Sequence, residues 1–396
     1  MTYLVSKFLK HCENILYGTL AIKCPDGVAY NFKGQFPGPD ATLKINNWKF
    51  LQNTIATGDI GLGEGYIDGL WDSPDLEAFL TFGALNSFVF YQYLYGNFVF
   101  KLLGYLQKLC LSNTKSESLR NVQAHYDLNN DFYSLWLDKS MTYSAALFGG
   151  DTKLSLEKAQ EAKYNRIFKK LALKAGDNVL DIGCGWGAFT EYLARKNINT
   201  TAITLSKEQA AFANQRIKTA KLGARAQIRF SDYRDITGMF DYIVSIGMFE
   251  HVGYKHWHTY FNTIATHLRK GGKAMIQTIL VDERYCNRKE TKPSFITKYI
   301  FPGGYLPSHA QVLEEIKGAG LICNESFAFG KDYAITLRHW LTRFEKQLNN
   351  VRRLGFDEKF IRKWRFYLAY TIAGFISGRT SVAQFEIQHS MQNLTS

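Results

Sequence analysis

No CxxC pair occurs among the six cysteines, Cys12, Cys24, Cys110, Cys184, Cys286 and Cys323. Scattered in this way they argue against a disulfide framework and against a zinc site, so no metal is expected, and a reducing compartment fits best. A secretory signal is also missing: MTYLVSKFLKHCENILYG has no apolar core followed by a small-residue cleavage site, and reads as a short helix. No repeat or low-complexity tract is evident. Acidic residues are in the minority, 35 against 48 Lys and Arg, for a net charge of +13. That excess favours an acidic partner: nucleic acid, an anionic membrane or a strongly anionic substrate. The basic runs, such as RRLGFDEKFIRKWR, lack the motif context of nucleic-acid binding, so nucleic acid is not expected.

Aromatic residues are abundant, at 15% with 29 Phe and 23 Tyr. Such rings suit a lipid interface, and they also line pockets that handle a cation. The stretch from Phe79 to Phe100 carries no charge and is long enough to span a membrane. Asn86, Ser87, Gln92 and Asn97 interrupt it and Gly83 and Gly96 loosen it, which favours an interfacial or core helix. Lys101 and Lys108 nearby suit anionic headgroups.

A chain of 396 residues accommodates about two domains. Residues 1–115 read as a small accessory domain, and 116–396 as the larger one, with the linker-like run SNTKSESLRN at the junction. From Asp151 onward, strand patterns (NVLDIG, NTTAITL, FDYIVSIG, KAMIQTIL) alternate with helical ones. This βαβ alternation predicts an α/β fold with a largely parallel sheet covered by helices. Within it, VLDIGCGWGAF takes a buried strand through Gly183, Gly185 and Gly187 into a helix. That arrangement lets backbone approach a ligand closely. The spacing is GxGxG, not the dinucleotide GxGxxG, and the second strand ends in Thr204, Leu205 and Ser206 without the acid that a dehydrogenase uses on ribose. A nicotinamide oxidoreductase is therefore disfavoured.

With HYDLNNDFYSLWLDKSMTYSAALF ahead of this motif, and TLSKEQ, IVSIGMFEHVG, YIFPGGYLPS and GKDYAITLRHW after it, the chain closely resembles the cyclopropane-fatty-acyl-phospholipid synthases and the related mycolic acid methyltransferases. The resemblance implies a class I, Rossmann-like S-adenosylmethionine-dependent methyltransferase acting on the double bond of unsaturated phospholipid acyl chains. It also implies that the accessory domain docks on an anionic membrane, as a peripheral protein on the cytoplasmic inner face; a homodimer stays open. Tyr143 and Ser144 then fall at the methionine end of the cofactor. Asp181, Gly183, Gly185 and Gly187 belong to its glycine loop, Thr204, Leu205 and Gln209 to its ribose and adenine side, and Tyr233 to its adenine. Arg234 departs from the acid that some relatives have.

The resemblance further implies a bound bicarbonate as base. Glu250, Tyr333 and the backbone of Ile279 match its holders, but Ala145 stands where the family has cysteine and Gln277 where it has histidine. His125 is either packed or catalytic. The changed set leaves the product open among a cyclopropane, a methyl-branched alkene and a methylene branch. Two other readings stay open: a methyltransferase for a soluble amine, and a membrane-docking cofactor binder that has lost catalysis.

Overall fold

The computed structural model describes residues 3–90, 129–286 and 294–390. Two compact units emerge. One comprises Met1–Leu111, Asn287–Ile300 and Leu337–Arg379; the other comprises Ser112–Cys286, Phe301–Thr336 and Thr380–Ser396. The sequence suggests a single boundary near residue 115; the compact units are instead discontinuous in sequence. The reason is local. The helix Glu358–Ile376 buries Phe366, Tyr367 and Phe375, and Phe366 packs against Phe295 at 4.6 Å and Tyr66 at 6.0 Å, all within the first unit.

The first unit has a four-stranded sheet, β1 (Tyr17–Lys23), β2 (Ala29–Lys33), β3 (Phe36–Ile45) and β4 (Trp71–Asp72), in the order β2-β1-β3-β4. The first part of the uncharged aromatic stretch is core here: the helix Leu76–Leu85 buries Leu80 and Phe82. Asn86 ends it, accepting from the backbone of Leu16 and Tyr17 and donating to Tyr17 O. Residues 91–100 of that stretch lie outside the described residues. Among the described residues no helix is long and apolar enough to cross a membrane. The aromatic run of the helix Glu358–Ile376 is core too, apart from Tyr370, whose hydroxyl donates to Asp59 at 2.7 Å.

The second unit is the predicted α/β layer. Its seven strands are β5 (Asn178–Ile182), β6 (Asn199–Thr204), β7 (Ala226–Phe230), β8 (Phe240–Ile246), β9 (Leu268–Val281), β10 (Leu321–Ala328) and β11 (Thr380–His389). They lie in the order β10-β11-β9-β8-β5-β6-β7. The pairs from β9 to β7 are parallel, while β11 runs antiparallel to both β9 and β10. Helices start where side chains cap them: Ser155 accepts from Lys158 N ahead of the helix Leu156–Lys170, and Ser206 from Gln209 N ahead of Lys207–Thr219. Strand order reverses at β5, between β8 and β6, which is where an open α/β sheet leaves a crevice beyond its strand ends.

Candidate active site

The crevice opens beyond β5. Gly183 turns the chain at φ +83°, and a Cβ there would come within 2.8 Å of Met248 Cβ. Gly187, at φ +80°, lies so close to the next helix that a Cβ would meet Ala213 Cβ at 2.9 Å. Gly185 differs, since nothing lies within 4 Å of where its Cβ would be, and its backbone is open to a ligand. Tyr143, Ser144, Asp181, Gly183, Gly185, Thr204, Leu205, Gln209 and Tyr233 all line this cleft. Of the expected cofactor residues only Gly187 does not; it caps the helix Ala188–Ala194.

Several of these side chains are held by one another. Thr204 donates to Gln209 Oε1 at 2.9 Å and accepts from Ser206 N at 3.2 Å. Burial raises the Asp181 carboxyl to about 7, opposed by the Thr190 hydroxyl, which donates to it at 2.8 Å. The Tyr233 hydroxyl is buried and has no hydrogen-bond partner. Arg234 grips Asp232 with two contacts of 2.7 Å, so the carboxylate at this corner comes from Asp232, a lining residue that the motif comparison passes over. An open glycine backbone, a buried aromatic with an unused hydroxyl and flanking polar groups fit an adenosyl cofactor.

A second overlooked residue is Lys163. The helix Leu156–Lys170 buries it among Leu156, Ala159 and Ile167, at 0% exposure. Its Nζ donates to Ser144 Oγ at 2.8 Å and to Gln160 Oε1 at 2.7 Å. Burial brings the ammonium down to about 7, with Asp138 opposing. The signal was present in the sequence: a lysine interrupts the apolar face of an amphipathic helix.

Rings gather around Tyr143 and Trp186, two residues of the cleft lining. Tyr143 lies 5.5 Å from Tyr133 and Trp136 and 6.4 Å from Phe301, and Tyr133 lies 5.0 Å from Trp186. His251, another lining residue, is 5.0 Å from Phe301, and burial pushes its imidazole down to about 4, so it is neutral at physiological pH. Faces of this kind stabilise a cation without attacking it.

The expected base set stands apart from the cleft lining. Glu250 is buried, and its Oε1 accepts from Ile279 N at 2.7 Å rather than pairing with His251. Oε2 is buried with no hydrogen-bond partner. Burial raises this carboxyl to about 7, opposed by the backbone amides of Glu250 and Ile279 and by the nearby Thr278 hydroxyl. Tyr305 N donates to Glu250 O at 2.9 Å, which joins the YIFPGGYLPS loop to the site.

Gln277 is buried on β9, opposite Gln384 of β11. Arg166 has only donors, so Gln384 presents its Oε1 to it at 2.5 Å; the Gln384 amide then donates to Gln277 Oε1 at 3.0 Å. Gln277 is left with its NH2 group to donate. Ala145 is fully buried and offers no side-chain donor, and Tyr333 is buried in the helix Gly330–Lys346. His125 lies outside the described residues.

Residues 113–385 match the family model for mycolic acid cyclopropane synthetase. The chain is 36% identical to the tuberculostearic acid methyltransferase of Mycobacterium tuberculosis over 83% of this chain and 79% of that one. It is 33% identical to the cyclopropane-fatty-acyl-phospholipid synthase of Escherichia coli over 93% of this chain and 91% of that one. Among solved structures it is similar to a mycolic acid cyclopropane synthase complexed with SAH and CTAB, with a TM-score of 0.63 and 32% identity over 68% of this chain and 98% of that one. The chain belongs to the mycolic acid cyclopropane synthetase family and is an S-adenosylmethionine-dependent methyltransferase.

Proposed function

We propose that this enzyme methylates the double bond of unsaturated acyl chains in membrane phospholipids. The observation that carries the reading is the presence of an aromatic-lined cleft together with a buried carboxylate, Glu250, that has one oxygen unused. Bound S-adenosylmethionine supplies an electrophilic methyl group. Tyr143 and Ser144 hold its methionine end, the backbone at Gly183 and Gly185 its middle, and Thr204, Leu205, Gln209 and Tyr233 its nucleoside. Asp181 and Gly187 shape the loop between them.

Attack of the alkene on that methyl group would break its bond to sulfur, release S-adenosylhomocysteine and leave a carbocation on the acyl chain. Tyr143, Phe301 and their neighbours face that charge and exclude water, and Glu250 accepts the proton through Oε2. A carboxyl near 7 is matched to base catalysis at neutral pH.

Bicarbonate does not fit the residues present. Ala145 cannot donate, and the Ile279 amide is already committed to Glu250. Gln277 keeps its NH2 group to donate, and no step here passes through bicarbonate. The net charge of +13 supports peripheral attachment to an anionic membrane surface at the inner face, with 1–115 contributing to docking.

The test is incubation with monounsaturated phospholipid vesicles and S-adenosylmethionine carrying a deuterated methyl group, followed by mass spectrometry of the released fatty acids. Labelled acyl chains are expected, and none would overturn the proposal. Loss of one deuterium identifies a cyclopropane or methylene product. Full retention identifies a methyl-branched alkene.

A further inference from the structure

Lys163 is buried, yet both groups that its Nζ touches, Ser144 Oγ and Gln160 Oε1, are neutral. No carboxylate lies within ion-pair reach of it among the described residues. Asp138 acts on it from a distance, and Tyr164 beside it faces Asp138, Asp181 and Arg216; each of these groups is engaged. Asp138 accepts from Ser140 N at 2.9 Å and from the Ser140 hydroxyl. Tyr164, whose ring centre lies 4.9 Å from Nζ, meets the Thr142 hydroxyl at 2.7 Å, and Asp181 accepts from Thr190. Arg216 donates to the carbonyls of Ser140 and Trp186. A buried ammonium with only neutral contacts is costly unless an anion completes it.

The hydrogen-bond inventory says where that anion sits. An ammonium has donors only, so Ser144 Oγ must accept from Lys163, and its own O–H is left to donate. Gln160 Nε2 fixes the backbone of the same residue by donating to Ser144 O at 2.9 Å. Ser144 lines the cleft. A hydroxyl polarised from behind by a cation is a strong donor to an anionic oxygen.

We infer that Lys163 is a positioning residue whose charge is answered by the carboxylate of the bound cofactor, relayed through the Ser144 hydroxyl. This rests on the assignment of Ser144 to the methionine end. A group held near 7 by burial is partly neutral just above neutrality, and an arriving carboxylate stabilises its charged form, so ligand binding draws in a proton.

Calorimetric titration of the full chain with S-adenosylhomocysteine, at about pH 8 in buffers of different ionisation heat, measures that proton. Net uptake is expected. Lys163→Met abolishes it and weakens S-adenosylhomocysteine binding by roughly tenfold to a hundredfold. Methylthioadenosine, which lacks the amino-acid tail, binds without uptake and equally well to both proteins. Ser144→Ala, which keeps the lysine, serves if Lys163→Met does not fold, and weakens only the carboxylate ligand. Proton-neutral binding of S-adenosylhomocysteine by the unaltered protein would overturn the relay. So would an equal loss for methylthioadenosine in either variant. Failure of the unaltered protein to bind either nucleoside would overturn the cofactor assignment as well.

Discussion

Arg362 and Lys163 are both cations on inward-facing sides of helices, one in each unit, and they are treated differently. Arg362 donates to Tyr66 O at 2.6 Å, reaches Asp72 at 3.2 Å and stacks on the Tyr66 ring at 3.9 Å. Its neighbours follow suit: Arg365 makes a two-pronged contact with Glu345, and Lys359 meets Asp68 at 2.7 Å. In the sheet unit Lys163, Asp181 and Glu250 are all buried, and each has only neutral contacts. These three first-unit cations each meet a carboxylate of their own unit. Among the described residues, the second unit holds Lys163, Asp181 and Glu250 without an ion pair, and burial moves all three far from their ordinary titration range.

The contrast is broken or sharpened most strongly at Glu250. Glu250→Gln is expected to reduce methyl transfer by about 10²–10⁴-fold while S-adenosylhomocysteine affinity stays unchanged. In the unaltered enzyme the rate should fall as pH drops below about 7, where the carboxyl takes up its proton. Stability runs the other way. The folded pKa is raised, so the contribution is fully present below about 4.5 and lost as pH rises through about 7. Glu250→Gln should therefore raise the melting temperature at about pH 8 relative to the unaltered enzyme, with the difference vanishing in acid. Rates that match the unaltered enzyme across pH would remove Glu250 from the chemistry.

A smaller effect is expected at Arg362. Arg362→Met should cost about 2–3 kcal/mol in denaturant unfolding and leave nucleoside affinity untouched. A selective loss of affinity with normal stability would erase the distinction between the units. The smallest effect belongs to Arg166. Arg166→Met frees the Gln384 amide to turn over and with it Gln277, so kcat should fall roughly threefold to tenfold with KM unchanged. A proportional change in KM would mean that Gln277 acts on binding instead.

Much of the sheet unit was legible in the sequence because its strands are short apolar runs bounded by helices with capping serines. The glycine loop was legible because turns at positive φ demand glycine. Thr204 and Gln209 were found through the family motif, though what they do in this structure is bind each other. Lys163 was missed because a single lysine on an apolar helical face is a faint signal, and only the structure shows its ammonium fully buried. The discontinuity of the compact units was not legible for a different reason. The aromatic stripe of Glu358–Ile376 announces burial but does not name its partners, and those are Phe295 and Tyr66. The Arg166–Gln384–Gln277 series joins residues far apart in sequence, and no local pattern encodes it.

Strand β11 sits between β9 and β10, although it follows both in the chain. On the ribosome, then, β10 emerges with no neighbour to pair with, and β9 waits with one edge bare. The sheet can close only after residues 380–389 leave the exit tunnel, so this half of the enzyme must finish folding late in synthesis. A premature stop just before residue 380 would remove one strand but orphan another, leaving two sticky edges exposed to self-association.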